Sequence, residues 1–170
     1  FTNKAAKEMR HRIEEMLHIP TRGLWIGTFH GLAHRFLKAH WREAGLPQNF
    51  QILDSDDQLR LVKRLMKEMA IDESFCAPRT AQGFINNHKD EGRRSAHLPP
   101  HGDVHYRTLV QVYQAYEDAC NRGGMVDFAE ILLRSHELWL NHPELLKHYQ
   151  QRFSHILVDE FQDTNTIQYA

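Results

Sequence analysis

Two adjacent carboxylates, Asp159 and Glu160, close a short apolar run, Ile156-Leu157-Val158, and lead into Phe161-Gln162-Asp163-Thr164. A continuous apolar run of this length, ended by charge, reads as a buried parallel strand whose C-terminal end carries chemistry. Magnesium takes oxygen ligands in near-octahedral geometry and keeps several waters, so one or two protein carboxylates are enough to hold it. A second carboxylate beside the first can polarise the water that attacks a terminal phosphate. On this reading Asp159 and Glu160 are metal ligands and Glu160 is also the catalytic base. The bland alternative is an acidic pair that merely ends a strand, with Asp163 or Thr164 capping the helix that follows.

The elements that must position these groups divide the chain in three. A helix is expected over about 3–18, where Ala5, Ala6, Met9, Ile13, Met16 and Leu17 recur at helical spacing to form one buried face. Leu24–Phe29 is short, β-prone and punctuated, and predicts a strand. From there to Phe153 the pattern is almost purely helical. Caps are expected at Asp54 or Ser55 and at Asp127, with prolines opening helices at Pro78 and Pro143 and a loop over residues 93–102. Phe128 falls in the apolar set of the helix that Asp127 starts, together with Ile131, Leu132 and Leu138. The two ends therefore predict an α/β domain and the middle an all-α insertion.

Composition narrows the class. The 170 residues are 41% hydrophobic and 25% charged, enough to build a core and remain solvated. Mean hydropathy is −0.60, and no apolar run approaches the ~20 residues of a membrane span. The opening, Phe1-Thr2-Asn3-Lys4, has neither an initiator Met nor the apolar stretch of a signal peptide, and suggests an internal piece of a longer chain. Two cysteines, Cys76 and Cys120, are too few for a disulfide framework and fit a reducing, cytoplasmic setting. Residues 1–43 carry eight Lys/Arg against four Asp/Glu, which suits a phosphate backbone; residues 154–170 carry three acids and no Lys or Arg, which suits a cation.

Four stretches together carry a resemblance. Asp159-Glu160-Phe161-Gln162-Asp163-Thr164 resembles motif II of superfamily 1 DNA helicases of the UvrD/Rep/PcrA type. Phe1-Thr2-Asn3-Lys4-Ala5-Ala6, with Glu8, Met9 and Arg12, resembles their motif Ia. Gly27-Thr28-Phe29-His30-Gly31 resembles motif Ib, and Val126-Asp127-Phe128 with Glu130, Leu132 and Leu133 resembles motif Id. They occur in the family's order. The intervening stretches, such as Gln51-Ile52-Leu53-Asp54 and Val112-Tyr113-Gln114-Ala115-Tyr116, look most like the UvrD branch.

The resemblance implies an ATP-driven 3′–5′ DNA helicase of bacterial DNA repair, acting in the cytoplasm at the nucleoid, with single-stranded DNA, the single-strand/duplex junction and repair proteins as partners. It implies a P-loop NTPase (RecA-like) fold. Residues 1–28 and 154–170 would be parts of the first RecA-like domain, and 29–153 a large inserted all-α subdomain. It also implies magnesium and ATP as cofactors of the parent protein, with Asp159, Glu160 and Gln162 at the nucleotide. Gly-x-x-x-x-Gly-Lys-Ser/Thr, which wraps phosphates in bare glycine amides, is absent from the 170 residues. No cofactor is therefore expected on this chain alone, and the chain alone is expected to be inactive.

The expected DNA contacts are Phe1, Thr2, Asn3, Thr28, Phe29, His30, Gly31, Arg93 and Arg94. Phe1 offers a stacking face, and Thr2 and Asn3 can donate to phosphate near a helix N-terminus. Thr28–Gly31 stand at a strand-to-helix transition with free amides, and Arg93-Arg94 can touch a backbone from a loop. Each has a plain alternative: Phe1 in a core, Asn3 as a cap, His30 as a neutral histidine satisfied by backbone, Arg93-Arg94 as solvated loop. Asp127 needs no role beyond capping. His30 and His34 are spaced by four but lack a third ligand, and His97, His101 and His105 are spaced by four where Pro99, Pro100 and Gly102 forbid a helical face, so neither set makes a zinc site. A different class, a helical DNA-binding or protein-docking module without ATPase activity, has no use for an apolar strand ending in Asp-Glu.

Overall fold

Side-chain caps start most of the helices. Thr2, Thr28, Asp54, Asp103, Asp127 and Asn165 each accept from a backbone N–H in the first turn of the helix that follows. In the computed structural model, which describes residues 2–159 and 164–170, these helices are α1 (Asn3–Leu17), α2 (Phe29–Ala39), α3 (Ser55–Glu68), α5 (Val104–Gly123), α6 (Phe128–Asn141) and α8 (Thr166–Tyr169). Pro78 and Pro143 open α4 (Pro78–Asp90) and α7 (Pro143–Arg152), where a missing N–H is harmless. The proline-containing loop after α4 holds a single 3-10 turn, Ser95–His97. No helix among the described residues is long and apolar enough to cross a membrane.

Two strands of three residues, β1 (Gln51–Leu53) and β2 (Met125–Asp127), pair in parallel with Ile52 opposite Val126. They are joined by α3, α4 and α5, the long crossover that parallel pairing demands. Gly124 sets up the pairing: it ends α5 with φ 62° and accepts from Gln51 N–H at 2.9 Å. A Cβ there would also lie 2.7 Å from Pro47 Cγ.

The sheet sits between two cores. Leu53 joins α3, α4 and α5 through Leu61, Val62, Met66, Ile85, Val112, Tyr113 and Tyr116. Val126 joins α2, α6 and α7 through Phe36, Leu37, Ile131, Leu138 and Tyr149. Phe36 stacks on Trp139 at 4.3 Å. Each fully buried aliphatic side chain of this kind contributes roughly 1.5–3 kcal/mol.

The ends depart from expectation. Leu24–Phe29 is not a strand: Trp25 packs edge-on against Tyr149 and Phe153, Arg35 lies over its ring at 4.1 Å, and Thr28 already caps α2. Ile156–Val158 is not a strand either, and Leu157 is 97% exposed. A strand exists only against a hydrogen-bonded neighbour, and among the described residues the only ladder is β1–β2. Among the described residues the parallel sheet therefore sits in the middle of the chain. α1 forms as expected but buries no residue, and Met16 is 78% exposed. Helical spacing says which face can be buried, not what covers it.

Candidate nucleic-acid interface

Two helix N-termini meet at the surface. Thr28 caps α2 by accepting from Gly31 N–H at 3.0 Å. Asp127 caps α6 by accepting from Glu130 N–H at 2.7 Å. α2 and α6 pack against each other, so His30 comes edge-on to Phe128, ring centroids 6.1 Å apart. The Phe128 backbone also acts on the His30 ring, favouring its charged form. Burial pushes the His30 pKa down, against the opposing pull of the Asp90 carboxylate and that backbone contact. His30 is thus a neutral, directional group rather than a cation.

Phe128 corrects its expected place in the core: its side chain is 45% exposed. It is the first residue of α6, and because helical side chains lean toward the N-terminus its ring overhangs the start of the helix with no preceding turn beneath it. A half-exposed ring held against a histidine is the kind of platform on which a nucleic-acid base stacks. The sequence signal for it was present, an aromatic directly after a capping Asp, but periodicity alone assigned it inward. The amides after Thr28 are also less free than expected, since Thr28 itself takes those of Gly31 and Leu32. Phe29 packs partly buried beside Leu132, Leu133 and Ile167.

Behind this surface lies a buried ionic cluster that sequence reading missed. Lys89 Nζ, with its side chain 2% exposed, meets Asp127 Oδ2 at 2.9 Å and Glu130 Oε2 at 3.0 Å. Asp127 Oδ2 also accepts from the Tyr116 hydroxyl and from Gln58 Nε2. Glu130 is held in addition by Arg94, bidentate at 2.6 and 3.1 Å, and by Arg134 at 2.9 Å. Arg94 reaches on to Glu137. Three cations thus face three carboxylates, the condition under which buried charge is tolerated. Burial opposes ionisation of Glu130, but Lys89 and Arg94 outweigh it and hold the carboxyl well below its usual range. Burial likewise opposes the Lys89 charge, and Glu130 and Asp127 outweigh it, raising its pKa. Asp127 is therefore more than a cap.

The remaining expected site residues lie apart. Thr2 caps α1 through Ala5 N–H at 3.1 Å, and Asn3 is exposed in the first turn. Arg93 is exposed and paired with Glu91 at 2.6 Å. Arg94, expected to reach a DNA backbone, is committed inward to Glu130 and Glu137, because two carboxylates offer its guanidinium a fixed bidentate fit. Asp159 is an exposed oxygen donor of the hard type magnesium takes. Phe1, Glu160 and Gln162 lie outside the described residues. Among the described residues no group of three or more His, Cys, Asp or Glu side chains could hold a metal ion.

Comparison with known proteins agrees with the resemblance to the helicase family. The family model described as UvrD/REP helicase N-terminal domain matches residues 1–170. DNA helicase II of Escherichia coli K12 is 61% identical over 170 residues, covering 100% of this chain and 24% of that protein. DNA helicase II of Haemophilus influenzae is 56% identical, covering 99% of this chain and 24% of that protein. ATP-dependent DNA helicase PcrA of Leuconostoc citreum is 38% identical over 172 residues, covering 100% and 23%. The chain spans about a quarter of the length of these relatives. The higher identity to the helicase II proteins than to PcrA agrees with the UvrD-like stretches between the motifs.

Proposed function

This chain belongs to the UvrD/REP helicase N-terminal domain family, and from that premise we propose that it works as the single-strand-binding and motif II segment of an ATP-dependent 3′–5′ DNA helicase. The observation that carries the reading is the half-exposed Phe128 ring held against neutral His30 where the starts of α2 and α6 converge. Stacking on such a ring is tolerant of sequence, because every base has a π face, and a translocating motor needs that tolerance. Thr28, Phe29 and Gly31 complete this contact, with Phe1, Thr2 and Asn3 as a second and Arg93 reaching the backbone from its exposed loop.

Asp159 and Glu160 would hold magnesium, and Gln162 would stand at the nucleotide. When bound, the metal neutralises charge on the phosphates. Glu160 accepts the proton of the attacking water. Residues 1–28 and 154–170 belong, on this reading, to one RecA-like α/β domain, and 29–153 to its helical insertion near the single-strand/duplex junction. The parent protein acts in DNA repair in the bacterial cytoplasm. The 170 residues contain no phosphate-cradling glycine loop, so the chain by itself does not turn over ATP.

The test is single-strand affinity, measured by anisotropy of a labelled oligothymidine, in the full-length protein that carries this chain. Phe128→Ala weakens binding by about tenfold, consistent with roughly 1–3 kcal/mol per stacked base. The loss is nearly independent of salt, since stacking releases no counterions. Wild-type affinity for Phe128→Ala at every salt concentration rules the stacking reading out.

A further inference from the structure

Lys89 lies on the last turn of α4 with its amine out of water. The same helix also buries Ala81 and Ile85, so α4 packs by apolar contact without it. A charged group in such a place is costly unless every partner is in position. What Lys89 adds, and an apolar side chain cannot, is a directional hold on one carboxylate.

That carboxylate is the cap of α6. Asp127 Oδ1 accepts from Glu130 N–H at 2.7 Å, while Oδ2 accepts from Lys89 at 2.9 Å, from Gln58 at 3.3 Å and from the Tyr116 hydroxyl. With both oxygens committed, the carboxylate is restrained, and with it the start of α6. The next residue along the chain is Phe128. The residue after Lys89 is Asp90, whose charge acts on His30. Two consecutive residues of α4 therefore reach both halves of the stacking surface, one through the α6 cap and one through the histidine.

We infer that Lys89 is a positioning residue, which fixes the Phe128 ring for base stacking by holding the Asp127 cap from inside the molecule. The inference rests on the stacking reading above. It predicts a specific coupling: loss of the Lys89 amine costs DNA affinity only while the Phe128 ring is present.

The experiment is a double-mutant cycle in the full-length protein that carries this chain. Oligothymidine affinity and thermal unfolding are measured for wild type, Lys89→Met, Phe128→Ala and the double variant. Lys89→Met is expected to bind about tenfold more weakly, the scale of one lost stacking contact, and to cause no further loss in the Phe128→Ala background. Equal loss in both backgrounds overturns the inference while leaving the stacking reading in place. Wild-type affinity for Phe128→Ala overturns both.

Lys89→Met leaves Asp127 without its cation, so Lys89→Met with Asp127→Asn guards against simple misfolding, since asparagine still caps a helix. This pair is expected to unfold near the wild-type temperature yet bind DNA about tenfold more weakly. Recovery of full affinity together with stability shows that Lys89 only supports the fold, and overturns the inference.

Discussion

The middle of the chain and its ends use the same alphabet of apolar residues and reach opposite outcomes. Between Phe50 and Tyr149 the apolar stripes of α3–α6 meet one another, and even charge is buried, because Lys89, Arg94 and Arg134 find Asp127, Glu130 and Glu137. In α1 and over residues 156–158 equally clear apolar patterns stay in solvent. The difference is not in local propensity. It is whether a complementary surface lies within reach, since burial stabilises only when both faces leave water together.

The sharpest way to test this contrast is to remove one charge from the buried cluster. Glu130→Ala removes the carboxylate that Lys89, Arg94 and Arg134 share, leaving Lys89 only Asp127 and Arg94 only Glu137, and should cost about 3–5 kcal/mol in urea unfolding. A cost below about 1 kcal/mol would mean the cluster is solvated in solution and the two regions differ less than the structure says.

Acid should act on the same point. The Glu130 pKa is lowered in the fold, so its contribution is fully present above the ordinary carboxylate pKa and is lost as pH falls through and below that value. The unfolding temperature should therefore fall steadily below about pH 5. Glu130→Gln should flatten that dependence; an unchanged profile would place the acid-sensitive group elsewhere.

A smaller effect is expected at the entry to β2. Gly124→Ala forces a side chain into positive φ and against Pro47, at a cost of about 1–3 kcal/mol. The smallest belongs to the ends. Leu157→Ser, in a side chain already in solvent, should change the stability of the isolated chain by no more than about 0.5 kcal/mol. A large loss there would show that residues 156–158 are packed after all.

Sequence reading was strongest where a residue acts on its immediate neighbours. The caps at Asp54 and Asp127 and the prolines opening α4 and α7 all follow from backbone groups within four residues, and each is where expected. It was weakest for the sheet. β1 and β2 are three residues each, too short to show an alternation, and their partners lie 74 positions apart. The strands expected at the ends had the right composition but no neighbour among the described residues. His30 and Asp127 stood out as motif residues, yet nothing local said that they share a surface.

What the sequence determined by itself is the family and the helical register of the middle, through spacing and caps. Those are properties of residue types and short separations, and they survive without any knowledge of what packs where. Only the tertiary structure decided that Phe128 faces out, that Arg94 turns inward to Glu130 and Glu137 instead of outward to phosphate, and that Lys89 supports the α6 cap. The physical reason is that a charge or a ring takes its role from the partners that folding brings within a few ångströms. For the charges those partners are 36 to 69 residues distant along the chain, and for the Phe128 ring the partner is His30 in α2.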